Sequence, residues 1–156
     1  MAFLFNLVKK SAAAKSDTTL MLMSLALFLS YLLADPLLSL TLGFEIFATS
    51  DGYLVWALFD FLTVLVIFFI SKNRTLQEVP AKLYVFTGLS TNMAIFLVMY
   101  VDIQYSEPYV YWWFWDFYTV TVNLIDIMML IALFSNKDFL GLVKLYRRIR
   151  GQAEPT

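Results

Sequence analysis

The sequence predicts an all-α integral membrane protein, a four-transmembrane-helix bundle with both termini cytoplasmic and short amphipathic interfacial helices at both cytoplasmic ends. Three observations predict it. Of 156 residues, 61% are hydrophobic and only 15% charged, whereas a soluble domain carries about 25% charged residues. The excess is gathered into four continuous apolar runs, 18–34, 53–71, 83–101 and 110–134. All eleven Lys and Arg residues fall on one side of those runs.

Helix is the backbone the runs demand, because every peptide group must find its partner inside lipid and no ten-residue alternating segments suggest a barrel. The spans are 17, 19, 19 and 25 residues long, near the roughly 20 that cross a hydrocarbon core. Ser16 and Asp17 can cap the first span, and Asp35-Pro36 stops it. Glu107-Pro108 separates the third from the fourth, and Asn136 or Asp138 can cap a helix beyond it. The connecting segments are too short for a separate soluble domain, so 1–156 is one membrane domain.

Orientation follows from the bases. Lys9, Lys10 and Lys15 precede the first span, Lys72, Arg74 and Lys82 lie between the second and third, and the rest follow the fourth. The positive-inside rule places both termini in the cytoplasm of a cell inner membrane. A formal charge of −1 hides this polarity. Eleven bases against Asp17, Glu78, Asp138 and Glu154 give +7 inside; five acids give −5 outside; Asp60, Asp116 and Asp126 lie within spans.

The N-terminal segment, 1–17, carries its lysines after a short apolar stretch, the reverse of a signal peptide. Phe3, Leu4, Leu7 and Val8 share a helical face, which predicts a helix lying on the inner leaflet. Segment 138–150 repeats the design. Phe139, Leu142, Val143, Tyr146 and Ile149 form an apolar stripe opposite Lys144, Arg147 and Arg148, with Arg150 following and a tail at 151–156. Anionic inner-leaflet lipids suit such a helix, each base contributing about 1 kcal/mol near the surface. A docking site for a cytoplasmic protein is the sharper reading; nucleic acid is not expected. The outer loop alternates apolar and small or polar residues over 38–46, which fits either an extended strand or a continuation of the first helix.

The carboxylates within spans carry the chemistry. An ionised Asp at a helix centre costs about 2.5–3.5 kcal/mol on insertion scales and usually faces the bundle. Asp116, Thr119, Asn123 and Asp126 stand at i, i+3, i+7 and i+10, one stripe of the fourth helix, and Asp60 and Thr63 add i, i+3 on the second. The third helix adds Thr87, Ser90 and Thr91, with Asn92 offset, and the first adds Ser24 and Tyr31. These predict a polar pathway of Asp60, Thr63, Asp116, Thr119, Asn123 and Asp126 with no Lys, Arg or His in it. Protons (H+), a cation such as Na+, or a partner helix must then neutralise it. The plainer reading is a set of interhelical hydrogen bonds worth about 0.6 kcal/mol each.

Ala26, Ser30 and Ala34 form a small-residue face on the first helix, and Thr87/Thr91 and Ser90/Ala94 do so on the third, faces that allow close packing within or between copies. The aromatic run from Tyr109 to Tyr118 holds three of four tryptophans. An interfacial belt explains it most simply; the sharper reading is a cage around Asp116 for an organic cation.

Cysteine and histidine are absent, which removes thiol chemistry, Cys/His metal sites and a histidine base. The glycines are scattered and form no phosphate loop. No enzyme, cofactor or metal site is expected. The leading expectation is a proton- or cation-responsive channel or transporter component, working as a homo-oligomer. The alternative is a non-transporting scaffold or sensor subunit that recruits a membrane or cytoplasmic partner, as in a stress or defence system.

Overall fold

A computed structural model describes residues 2–12, 18–34, 50–105 and 112–151. They form six helices: α1 (Ala2–Ala12), α2 (Thr18–Leu32), α3 (Asp51–Ser71), α4 (Ala81–Tyr105), α5 (Trp113–Ser135) and α6 (Leu142–Ile149). There is no strand among the described residues. Helices α3, α4 and α5 are long and apolar enough to cross a membrane. Helix α2 is equally apolar, but its 15 residues span about 22 Å, short of a hydrocarbon core of about 30 Å.

The order of packing is a ring. α1 lies on α2, α2 on α3, α3 on α4, α4 on α5, and α5 returns to α1. The connections at both ends make α3, α4 and α5 alternate in direction. At one end Lys82 Nζ donates to the Ser71 carbonyl (2.8 Å), and Asn136 Nδ2 to the Glu78 carbonyl (3.2 Å). At the other, Gln104 Nε2 donates to Ser50 Oγ (2.8 Å) and Trp112 Nε1 to Asp102 Oδ2 (3.0 Å). The described basic segments around 72–82 and 137–150 therefore share one end of the bundle, as the charge pattern predicts.

That end is tightly tied. Thr75 and Glu78 exchange hydrogen bonds, the amide of each donating to the other's side chain (3.1 and 3.4 Å), the reciprocal arrangement of a capping box. Asn136 terminates α5 in the left-handed region (φ 48°) while its amide donates to Ala132 O. Most of the fully buried apolar side chains lie in this half, among them Met23, Ile67, Tyr84, Leu89, Met129 and Leu133.

Close approach of α4 to α5 depends on Gly88. A Cβ built there would stand 2.5 Å from Met129 Sδ and 2.6 Å from its Cγ. The faces turned outward are those lipid would solvate: Leu58, Phe61, Phe68 and Phe69 on α3, and Val120, Leu124 and Ile127 on α5.

Two terminal expectations are corrected. The C-terminal helix is α6, Leu142–Ile149, and begins after 138. Asp138 stands outside it as a cap: Oδ1 accepts from the Val143 amide and Oδ2 from the Lys144 amide, both at 3.1 Å, and Gly141 takes φ 74° to make the turn. Helix α1 presents Leu4, Leu7 and Val8 outward as expected, but it is also inserted. Asn6, 4% exposed, donates from Nδ2 to Leu133 O (3.1 Å) and Ser24 Oγ (3.3 Å). A buried amide needs such partners, so α1 is fixed to α2 and α5 by a polar contact.

The expected fourth span begins at Trp113 in the described residues rather than 110, and α4 runs beyond 83–101 at both ends. The alternating loop at 38–46, the boundaries at Asp35-Pro36 and Glu107-Pro108, the Ser16-Asp17 cap and the tail from 152 onward lie outside the described residues.

Candidate functional site

Asp60 sits near the middle of α3 and is 6% exposed. One turn on, Thr63 is also buried, and its hydroxyl donates to its own helix at Phe59 O (2.7 Å). Asp126 on α5 is half-buried. Its Oδ1 accepts from Tyr31 Oη at 2.6 Å and from Asn92 Nδ2 at 2.9 Å, which ties α2, α4 and α5 to one oxygen. Two oxygens here lack any hydrogen-bond partner although fully buried: Asp60 Oδ2 and Asn92 Oδ1. Leaving such atoms unpaired is costly.

Asp60 and Asp126 line one cavity of about 160 Å³. Ser30 and Ala34, two members of the small-residue face of α2, form one wall and leave it room. Aromatic rings form most of the rest: Tyr31, Trp56, Phe59, Phe96 and Tyr118. Three of these belong to a closed circuit of four rings. Tyr53 meets Trp56 (5.2 Å between centroids), Trp56 meets Phe96 (5.7 Å), Phe96 meets Tyr118 (6.1 Å) and Tyr118 returns to Tyr53 (5.7 Å). Trp56 precedes Asp60 by four residues, one helical turn, so this aromatic box lies beside the carboxylates on the side away from the basic end. No lysine or arginine lines the cavity.

A second cavity, about 200 Å³, lies toward the basic end and is walled by α1, α2 and α5, including Ala2, Ser24 and Leu133. Tyr31 and Asp126 line both cavities. Their hydrogen bond therefore stands where the two linings meet.

The predicted polar stripe divides. Asp60, Thr63 and Asp126 are brought to the interior, but Asp116, Thr119 and Asn123 are exposed on α5 and line neither cavity. Thr119 donates to Trp115 O (2.9 Å) and Asn123 to Thr119 O (2.7 Å), both within their own helix. The rings around a carboxylate are likewise those of Tyr31, Trp56, Phe96 and Tyr118, with Asp60 and Asp126. Tyr31 and Asn92 stand out in the sequence only as polar residues in spans; nothing there pairs them with Asp126.

The two small-residue faces have different fates. Ser30 and Ala34 are buried and Ala26 half-buried, while Thr87, Ser90 and Ala94 are exposed and Thr91 is half-buried, on a shallow groove of α4. At the basic end Lys144, Arg148 and Arg150 are exposed and Arg147 half-buried; the Arg150 guanidinium stands 5.0 Å from the Tyr146 ring centroid. Among the described residues, no three acidic, His or Cys side chains are grouped as metal ligands. No protein-family model matches the chain, and neither a curated protein nor a solved structure matches it.

Proposed function

We propose that the protein is a proton- or cation-responsive channel or transporter component of the inner membrane, with both termini cytoplasmic and α2 as a fourth, short crossing. The observation that carries this reading is Asp60 itself: it lines a cavity shared with Asp126 and free of basic side chains, and its buried Oδ2 has no hydrogen-bond partner. An acid so placed is completed by a proton or by a cation. The second cavity, mostly apolar, continues from Tyr31 and Asp126 toward the basic end, and a rotation of the Tyr31 hydroxyl away from Asp126 would open the contact between the two spaces.

Reconstituted vesicles test it. Wild-type protein is expected to pass protons or a monovalent cation under an imposed gradient. Asp60→Asn and Asp126→Asn should lose that flux while inserting and melting like wild type. Wild-type vesicles silent at every pH and potential would sink the proposal.

A second reading is supported by the exposed small-residue groove of α4 and the exposed bases of α6, which suit a homo-oligomeric scaffold held on anionic lipid or on a partner. It predicts that Arg147→Gln with Arg148→Gln releases the protein from its partner or lipid surface, with Asp60→Asn harmless.

A further inference from the structure

We propose that the 160 Å³ cavity is a binding site for a small organic monocation with one aromatic or alkyl group, a protonated primary amine. The inference deepens the preceding reading of the same site, and rests on its premise that Asp60 accepts a cation.

Size comes first. A cavity of about 150 Å³ lined by apolar side chains holds a benzene ring, so this one takes a ligand of about that bulk. Wall chemistry comes second. A desolvated Na+ or Ca2+ wants about six or more oxygen ligands. Here half of the lining residues are aromatic, with two carboxylates and the hydroxyls of Ser30, Tyr31 and Tyr118 as the side-chain oxygens. Aromatic rings attract the charge of an ammonium ion through their π-electron faces. Apolar walls with a few placed polar groups are also the usual make-up of small-molecule sites.

The third element is direction. Asp60 Oδ2 has no partner, whereas Asp126 Oδ1 already accepts two hydrogen bonds. An ammonium group is therefore expected on Asp60, with its hydrocarbon part against Trp56, Phe96 and Tyr118. Asp126 lines the same cavity as a second carboxyl group. The specificity so built is for one positive charge carried on an apolar body, and it discriminates against the neutral analogue.

Benzylammonium is the probe, and benzyl alcohol its neutral counterpart. Purified full-length protein in detergent is titrated by calorimetry and by tryptophan fluorescence. The expected result is saturable benzylammonium binding at least about tenfold tighter than benzyl alcohol, a difference of about 1.4 kcal/mol. Asp60→Asn should lose that preference, and Phe96→Leu should weaken binding several-fold, with both variants keeping the wild-type circular dichroism. Equal binding of the two probes, or displacement of benzylammonium by equimolar Na+, overturns the inference. So does an absence of binding by wild-type protein. If Asp60-dependent proton flux persists without benzylammonium binding, only the ligand assignment fails. If benzylammonium binds as expected and no flux of any ion is found, only the transport reading fails.

Discussion

Tyr31 Oη donates to Asp126 Oδ1 across 2.6 Å, and the two residues are the side chains shared by both interior cavities. One hydrogen bond thus joins α2 to α5 where the two cavities share their lining. Without the Tyr31 hydroxyl, Asp126 keeps Asn92 as its donor, so the carboxylate stays in place while this link between α2 and α5 is lost.

Tyr31→Phe should therefore uncouple stability from gating. The ring remains to fill its volume, and one interhelical hydrogen bond is lost, worth about 0.6 kcal/mol on average in a membrane bundle. Thermal unfolding in detergent is expected to shift by only a few degrees. Vesicle flux is expected to rise, because the barrier between the cavities is lowered. A flux that vanishes in Tyr31→Phe would show the hydroxyl to be part of the route itself.

Gly88→Leu should weaken the α4–α5 contact. Even a Cβ at this position falls 2.5 Å from Met129 Sδ, and Met129 is fully buried, so it has little room to retreat. Overpacking of this kind typically costs about 1–3 kcal/mol. Met129→Ala opens the space that the new side chain needs. The double variant is expected to melt above Gly88→Leu alone, a non-additive result readable by thermal unfolding.

Asp138 should make the attachment of α6 acid-labile. Burial raises its carboxyl, but the Tyr84 hydroxyl (2.6 Å) and the amides of Val143 and Lys144 outweigh that and hold it below the ordinary aspartate value. The folded pKa lies below the unfolded one, so the stabilisation is complete above the unfolded value and is lost as pH falls through the folded one. With an unfolded value of about 3.9, loss begins near there and completes at lower pH. The protection factors of the Val143 and Lys144 amides are expected to fall on acidification. Tyr84→Phe, which removes a donor and raises the folded value, should make the loss smaller and complete at a higher pH.

The interior of the fold was legible only where periodicity and burial coincide. Three long apolar helices, their alternation and the common end of the basic segments 72–82 and 137–150 follow from continuous apolar runs and from Lys and Arg positions, and the described helices agree. The candidate site was half legible. Asp116 and Asp126 are about 80° apart around a helix of 100° per residue, so one stripe is wide enough to straddle the edge of a buried arc. Where that edge falls is set by Ile125, Met129 and Ala132 against α4, and by the absence of a side chain at Gly88. In a helix apolar on every side, periodicity does not mark that arc. Tyr31 and Asn92 were invisible as partners of Asp126 for a related reason: they come from two other helices, whose rotation is settled only by packing.

The same geometry separates the carboxylates experimentally. Asp116 is exposed on α5 and Asp60 is a buried residue lining the cavity, though the sequence reading places both in one pathway, with Asp116 nearest the outer interface. Removing charge from an exposed position alters little that depends on the cavity. Removing it from Asp60 deletes the one carboxylate with an oxygen unpartnered there. Asp116→Asn should retain flux and benzylammonium affinity within about twofold, and Asp60→Asn should lose at least about tenfold in each, the equivalent of about 1.4 kcal/mol. Equal losses from the two variants would mean that the exposed face of α5 becomes interior in a larger assembly, with Thr119 and Asn123 brought into the route beside it.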